Sequence, residues 1–189
     1  KKKASGSRSG DISPALIGVF AVLLLLLLPV LLNSLMLAFT PEMNGADWID
    51  ACSWVKDNTP QTSFLYSADQ GTKPEYGVMS WWDYGNYILY EAGRPVVANN
   101  FQTGVEDAAK FFTASDEAAA NAVMDNRSAR YVMLDYHMGT PFAGVSYGIF
   151  ENMALLAGGD PMSYHDSIRG GKGQANIKYY TTMYARLFS

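Results

Sequence analysis

The sequence holds one cysteine, Cys52, so no disulfide forms within the chain and no metal site built on several thiolates is available. Cys52 falls on a stretch with helical spacing and reads as a small buried apolar residue, not a reactive thiol. Histidine is also scarce, with only His137 and His165. Beside Asp135, Asp160 and Asp166 they offer no ligand pair at a recognised metal spacing, and read as loop polar residues. Positive charge is sparse beyond the first residues. From position 42 onward there are 10 Lys and Arg against 17 Asp and Glu, a net charge of −7. An acidic domain lacks the basic footprint that nucleic acid requires. Gly170-Gly171-Lys172-Gly173 lacks the spacing and the preceding strand of a phosphate-binding loop. There is no internal repeat. The sequence does not start with Met, and residues 184–189 read as an interrupted apolar pattern, so both ends are expected to be truncations.

Residues 12–41 carry no charged side chain, and residues 15–39 are almost wholly apolar. As a helix these 25 residues reach ~37 Å, enough for a hydrocarbon core of ~30 Å. Pro29 is expected to kink the helix, and Asn33 to face protein or the interface. The rival reading is a cleaved signal peptide with residues 1–8 as its basic region. Its apolar core would usually be only ~7–15 residues long, which favours a retained span. Lys1, Lys2, Lys3 and Arg8 place the N-terminal flank on the cytoplasmic side, and residues beyond 40 outside the cytoplasm. The expected division is a flank at 1–13, a transmembrane helix at 14–40 and an extracytoplasmic domain at 41–189.

Beyond the span, Trp48, Ala51 and Val55 share a face, with Cys52 beside them, predicting a helix over 45–57 with Asn44 as its cap and Asn58-Thr59-Pro60 as its stop. Short apolar runs predict strands at 64–68, 78–81, 95–98 and 131–134. Helices are predicted over 83–92, capped by Gly93, and over 105–112 and 116–127, the last capped by Ser115. Residues 157–174, with five glycines and Pro161, read as a mobile loop. Strands alternating with helices predict a mixed α/β domain with a small, largely parallel sheet. Binding residues in such sheets collect at the carboxyl ends of the strands, which marks Trp81-Trp82-Asp83 and Asp135.

Trp81-Trp82-Asp83-Tyr84-Gly85 is the most informative stretch. An indole N–H only donates and a carboxylate only accepts, so together they suit a hydroxyl, which does both. A site that satisfies both functions rejects an analogue lacking the hydroxyl. The same residues also suit a carbohydrate surface, or an aromatic core patch with Asp83 capping the next helix. Residue chemistry leaves these open.

The pentapeptide resembles, in full, the signature of oligosaccharyltransferase catalytic subunits, and the chain is similar to their archaeal AglB type. The context agrees with that resemblance: a membrane span, a Trp-bearing helix ending in Asn-Thr-Pro, and Gly93-Arg94-Pro95-Val96-Val97-Ala98-Asn99-Asn100 after the pentapeptide. It implies that Trp81, Trp82 and Asp83 bind the hydroxyl of Ser or Thr two residues after an acceptor Asn, with Tyr84 and Gly85 shaping the turn. It also implies a second motif, Asp135-Tyr136-His137-Met138, on a helix, with Met138 against a threonine methyl. Gly139-Thr140-Pro141-Phe142 departs from the family pattern, because proline disrupts a helix beyond its first turn. The alternative is that Asp135 and Met138 are strand-end structure.

The reaction so implied moves an oligosaccharide from a dolichol-type phosphate lipid to the Asn amide of Asn-x-Ser/Thr. The implied partners are the acceptor peptide, the lipid-linked oligosaccharide and the membrane. The implied cofactor is Mg²⁺ or Mn²⁺, held by acidic loops outside this chain. No catalytic residue is expected within the chain, and the chain alone is expected to be inactive. A membrane-anchored module that binds carbohydrate or peptide without chemistry is the competing class. Asn126-Arg127-Ser128 is itself an acceptor motif at an expected helix end, read here as unmodified.

Overall fold

The computed structural model describes residues 13–39, 46–62, 74–139, 148–169 and 172–189. The chain divides into two compact units, Lys1–Ala46 and Asp47–Ser189. In the first, helix α1 spans Pro14–Phe39. Proline has no N–H to lose at a first helical position, and Ser13 accepts from the Leu16 N–H at 3.3 Å. Pro29 lies inside the helix and removes one intrahelical bond. Pro14–Met36 is long and apolar enough to cross a membrane, and its large side chains are exposed within the unit.

The second unit begins with α2, Ala46–Asn58, which buries Trp48, Cys52 and Val55 along one stripe. Burial, aided by the charge of Glu91, pushes the Cys52 thiol up to about 11, so it stays protonated. The cap expected at Asn44 and the strand expected at 64–68 lie outside the described residues.

Strand β1, Gly77–Met79, is buried throughout and pairs in parallel with β2, Ala129–Val132. The Met133 N–H carries the pairing one step further, to the Met79 carbonyl at 2.9 Å. The strand expected at 95–98 is reduced to one bridge, Val96 to Val78. Pro95 has no N–H for a ladder, and the chain turns at Asn99, whose N–H donates to the Thr103 carbonyl at 3.2 Å. The small parallel sheet is therefore shorter than the sequence suggests.

After β1 come α3, Trp82–Tyr87, and a π-helical turn, Ile88–Ala92, which ends at Gly93 in left-handed backbone at φ 60°. Two helices follow, α4 at Val105–Thr113 and α5 at Glu117–Asn126. The cap of α5 is Asp116 and not Ser115: its two carboxylate oxygens accept from Ala118 and Ala119 N–H together. Asn126 closes α5, and Ser128 takes a positive φ of 52° before β2.

Residues 157–174 are not one loop. After α6, Ile149–Leu156, a 3-10 turn spans Pro161–Tyr164, and β3, His165–Arg169, pairs antiparallel with β4, Lys172–Ala175. Two short helices, α7 at Ile177–Tyr180 and α8 at Met183–Phe188, close the described chain. Phe112 of α4, Phe150 of α6 and Tyr184 of α8 meet at the centre of the core.

Candidate functional site at the carboxyl ends of the parallel strands

Because β1 and β2 are parallel, their carboxyl ends share one edge. β1 delivers Trp81 and α3 to that edge, and β2 delivers Asp135. The expectation that binding residues gather there can thus be followed residue by residue.

Trp81 precedes α3 in extended backbone and is sunk in the core at 2% exposure. Trp82 and Asp83 are half-buried, with Trp82 packed against the core. Burial raises the Asp83 carboxyl above its ordinary value, and Trp81 partly offsets this. The outcome is a half-buried acceptor next to a half-buried indole, with Trp81 itself covered.

Tyr84 turns inward. Its ring stacks on Trp48 of α2 at 4.3 Å between centroids, with planes 9° apart. Its hydroxyl donates to Asp135, 3.1 Å from each carboxylate oxygen. Burial, then the charge and hydrogen bond of Asp135, push the phenol far above its ordinary value, so it remains a donor.

Gly85 has a steric reason. A Cβ there would lie 2.2 Å from the Ala98 carbonyl oxygen and 2.6 Å from the Asn99 Cα. The 98–100 turn docks against α3 through that gap. The Asn86 N–H donates to Asn100 Oδ1 at 3.1 Å, and Asn100 Nδ2 donates to the Asp83 carbonyl at 3.3 Å.

Asp135 is the busiest acceptor at this edge. Its Oδ2 accepts from Trp48 Nε1 at 2.9 Å and lies 3.2 Å from His137 Nδ1, while Oδ1 accepts from the Met138 N–H at 3.2 Å. The second motif is a 3-10 turn, Tyr136–Gly139, and not an α-helix. The Tyr184 hydroxyl donates to the Asp135 carbonyl at 2.9 Å and packs where a Gly139 Cβ would stand. Met138 is fully buried, inside the core cluster. Pro141 lies outside the described residues.

Two residues of this region escaped the sequence reading. Trp48 was legible only as part of an apolar stripe, although a buried indole N–H needs a partner. Arg94 is buried at 2% exposure and spends its guanidinium on carbonyls and a hydroxyl. It donates to Lys56 O at 2.7 Å, Thr59 O at 3.0 Å, Ala92 O at 3.2 Å and Gly93 O at 3.1 Å. The histidines go to different carboxylates, His137 to Asp135 and the buried His165 to Glu151 at 2.7 Å. Among the described residues no three His, Cys, Asp or Glu side chains gather as a metal site.

The chain's second unit is a mixed α/β domain whose small parallel sheet places the half-buried Trp82 and Asp83 at its carboxyl edge, where such sheets commonly collect binding residues. The family model for the AglB core domain matches residues 45–139, half of the chain, and the chain belongs to that family. It is 45% identical over 133 residues to dolichyl-phosphooligosaccharide-protein glycotransferase 2 of Archaeoglobus fulgidus, covering 70% of this chain and 21% of that protein. The chain thus spans about a fifth of that relative's length.

Among solved structures, the C-terminal globular domain of an oligosaccharyltransferase from the same organism matches at TM-score 0.59 and 35% identity. The match covers 75% of this chain and 82% of that one. A second Archaeoglobus oligosaccharyltransferase matches in two crystal structures. In complex with Zn and sulfate it gives TM-score 0.62 at 29% identity, covering 76% of this chain and 23% of that one. Tethered to an acceptor peptide containing the NVT sequon it gives 0.58 at 27% identity, covering 76% and 22%. The mixed α/β fold is that of the oligosaccharyltransferase C-terminal domain.

Proposed function

We propose that this chain supplies the Ser/Thr-binding pocket of an oligosaccharyltransferase. The enzyme would transfer an oligosaccharide from a dolichol-type phosphate lipid to the Asn of Asn-x-Ser/Thr. The observation that carries the reading is Asp83: a half-buried carboxylate next to the half-buried Trp82, at the carboxyl edge of a parallel sheet in a chain of this family. In this reading the substrate hydroxyl donates to Asp83 and accepts from the Trp82 indole. An acceptor with Ala in that place leaves both protein groups without partners, which costs orders of magnitude in specificity. Tyr84 and Gly85 seat the turn. Asp135 and Met138 support it from the adjoining strand end. Met138 is fully buried in the described arrangement, inside the core cluster.

Helix α1 would anchor the chain in the membrane, with residues 41–189 outside the cytoplasm. The family member crystallised with Zn points to a metal in the family. In this reading Mg²⁺ or Mn²⁺ would be held by acidic loops elsewhere in the enzyme. Attack on the lipid-linked sugar likewise belongs to regions outside this chain. A sugar-stacking module would need an open indole platform, and Trp81 is covered while Trp82 is only partly open.

The test is transfer by the full-length enzyme carrying Asp83→Ala, with Asn-Ala-Thr and Asn-Ala-Ala peptides and circular dichroism as the fold control. A folded variant without transfer to Asn-Ala-Thr supports the pocket. Undiminished transfer by a folded variant sinks it.

A further inference from the structure

We infer that Trp48 is a positioning residue of the acceptor pocket, acting through Asp135 and Tyr84 from a helix that belongs to neither motif. The inference rests on the pocket reading above. Three observations converge on it. The Trp48 indole N–H donates to Asp135 Oδ2 at 2.9 Å. The Trp48 ring lies flat on the Tyr84 ring at 4.3 Å. The Tyr84 hydroxyl closes the triangle on the same carboxylate at 3.1 Å.

Each link restrains a different freedom. The stacked face fixes the plane of the Tyr84 ring. The shared carboxylate fixes how far Tyr84 reaches along it. Tyr84 directly follows Asp83, so the restraint is passed to the backbone that aims the pocket carboxylate. Asp135 also accepts from the Met138 N–H, which ties the strand-end turn to the same point. Asp135 sits in partly buried surroundings, where hydrogen bonds to a charged acceptor are stronger than neutral ones. Losing the Trp48 donor would loosen the triangle without touching substrate.

A misplacement of about an ångström at a binding group is felt as weaker productive binding. Trp48→Phe keeps an aromatic ring against Tyr84 and removes the indole N–H together with the five-membered ring that carries it. In the full-length enzyme it is expected to raise KM for Asn-x-Thr and Asn-x-Ser peptides about tenfold, with kcat at saturating peptide within about twofold. Adding Trp48→Phe to Asp135→Ala should raise KM no further, because Asp135→Ala already removes the acceptor of the Trp48 N–H.

KM and kcat both at the wild-type level in a folded Trp48→Phe enzyme would overturn the inference. So would activity lost only in proportion to the unfolded fraction in a thermal melt, since that marks mere structural support. Asp83→Ala run alongside separates the layers. Undiminished transfer there removes the pocket reading and this inference together. An inactive Asp83→Ala with an unaltered Trp48→Phe removes this inference alone.

Discussion

Arg94 Nε donates to Thr59 Oγ1 at 2.8 Å, joining residues 35 positions apart. The contact makes one cap out of two sequence signals, the Asn-Thr-Pro that ends α2 and the Gly-Arg-Pro that ends the π-turn. The last carbonyls of both helices point at one cation, which suits the negative end of each helix dipole. Thr59 in turn donates to the Val55 carbonyl at 2.6 Å and receives the Tyr76 hydroxyl at 3.2 Å. Replacing Arg94 by Met leaves several buried carbonyls without donors. The expected cost is about 3 kcal/mol, with Arg94→Lys recovering part of it, read as unfolding midpoints by circular dichroism.

Gly85 and Gly93 predict opposite kinds of damage. A Cβ at Gly85 meets backbone at 2.2 Å, so Gly85→Ala should push the 98–100 turn off α3, cost about 3 kcal/mol and raise acceptor KM. A Cβ at Gly93 meets nothing within 4 Å, but its φ of 60° disfavours alanine. Gly93→Ala should cost about 1 kcal/mol and leave acceptor KM unchanged. Thermal melts with peptide kinetics on both variants check the contrast.

Asp83 links stability to function through pH. Folding raises its pKa, so the folded protein holds this proton more tightly than the unfolded chain. The stabilisation tied to that proton is present in acid and is lost as pH rises through the folded value. Asp83→Asn is therefore expected to raise the unfolding midpoint at neutral pH by about a degree or two, the gain shrinking in acid. Acceptor KM of the wild type should rise as pH falls through the same range, while the variant shows a high, flat KM. An unfolding gain that persists undiminished in acid would refute the linkage.

Asp116→Ala should cost about 1 kcal/mol through the lost cap of α5, whereas Ser115→Ala should be close to neutral. Chemical denaturation of the two variants distinguishes them.

Much of the domain was legible because its signals are local. Trp48 and Val55 foretell α2, although Ala51, expected on the same face, is exposed and Cys52 takes the buried place, and Gly93 foretells the left-handed stop after Ala92. Where a non-local partner decides, the sequence is silent. Helical spacing of Tyr84 and Ile88 does not announce that α3 widens into a π-turn at Ile88. Val96 and Val97 look like a strand, yet Pro95 and the turn at Asn99 leave them one bridge. The β3–β4 hairpin had a usable signal, Gly170-Gly171 between two short runs, hidden by the glycine content of its surroundings. At the site, the pentapeptide named Asp83. Only the fold shows Trp48 behind Tyr84.

The curl of the chain at Ser128 bears on self-recognition. On the proposed function, an enzyme that reads Asn-x-Ser/Thr would carry such a triplet in its own body, Asn126-Arg127-Ser128. A pocket that grips a hydroxyl two residues past the Asn must draw that stretch out as a free strand. Asn126 is instead wound into the end of α5, and Ser128 turns left-handed to launch β2. Arg127 is pinned to Asp107 between them. Folding would thus withdraw the triplet from the reaction, and time would decide its fate: open to modification while the chain is emerging, closed once β2 has paired. Intact-protein mass spectrometry should find Asn126 bare in enzyme exposed to lipid donor after folding, and a sugar added at Asn126 to the folded enzyme would contradict this.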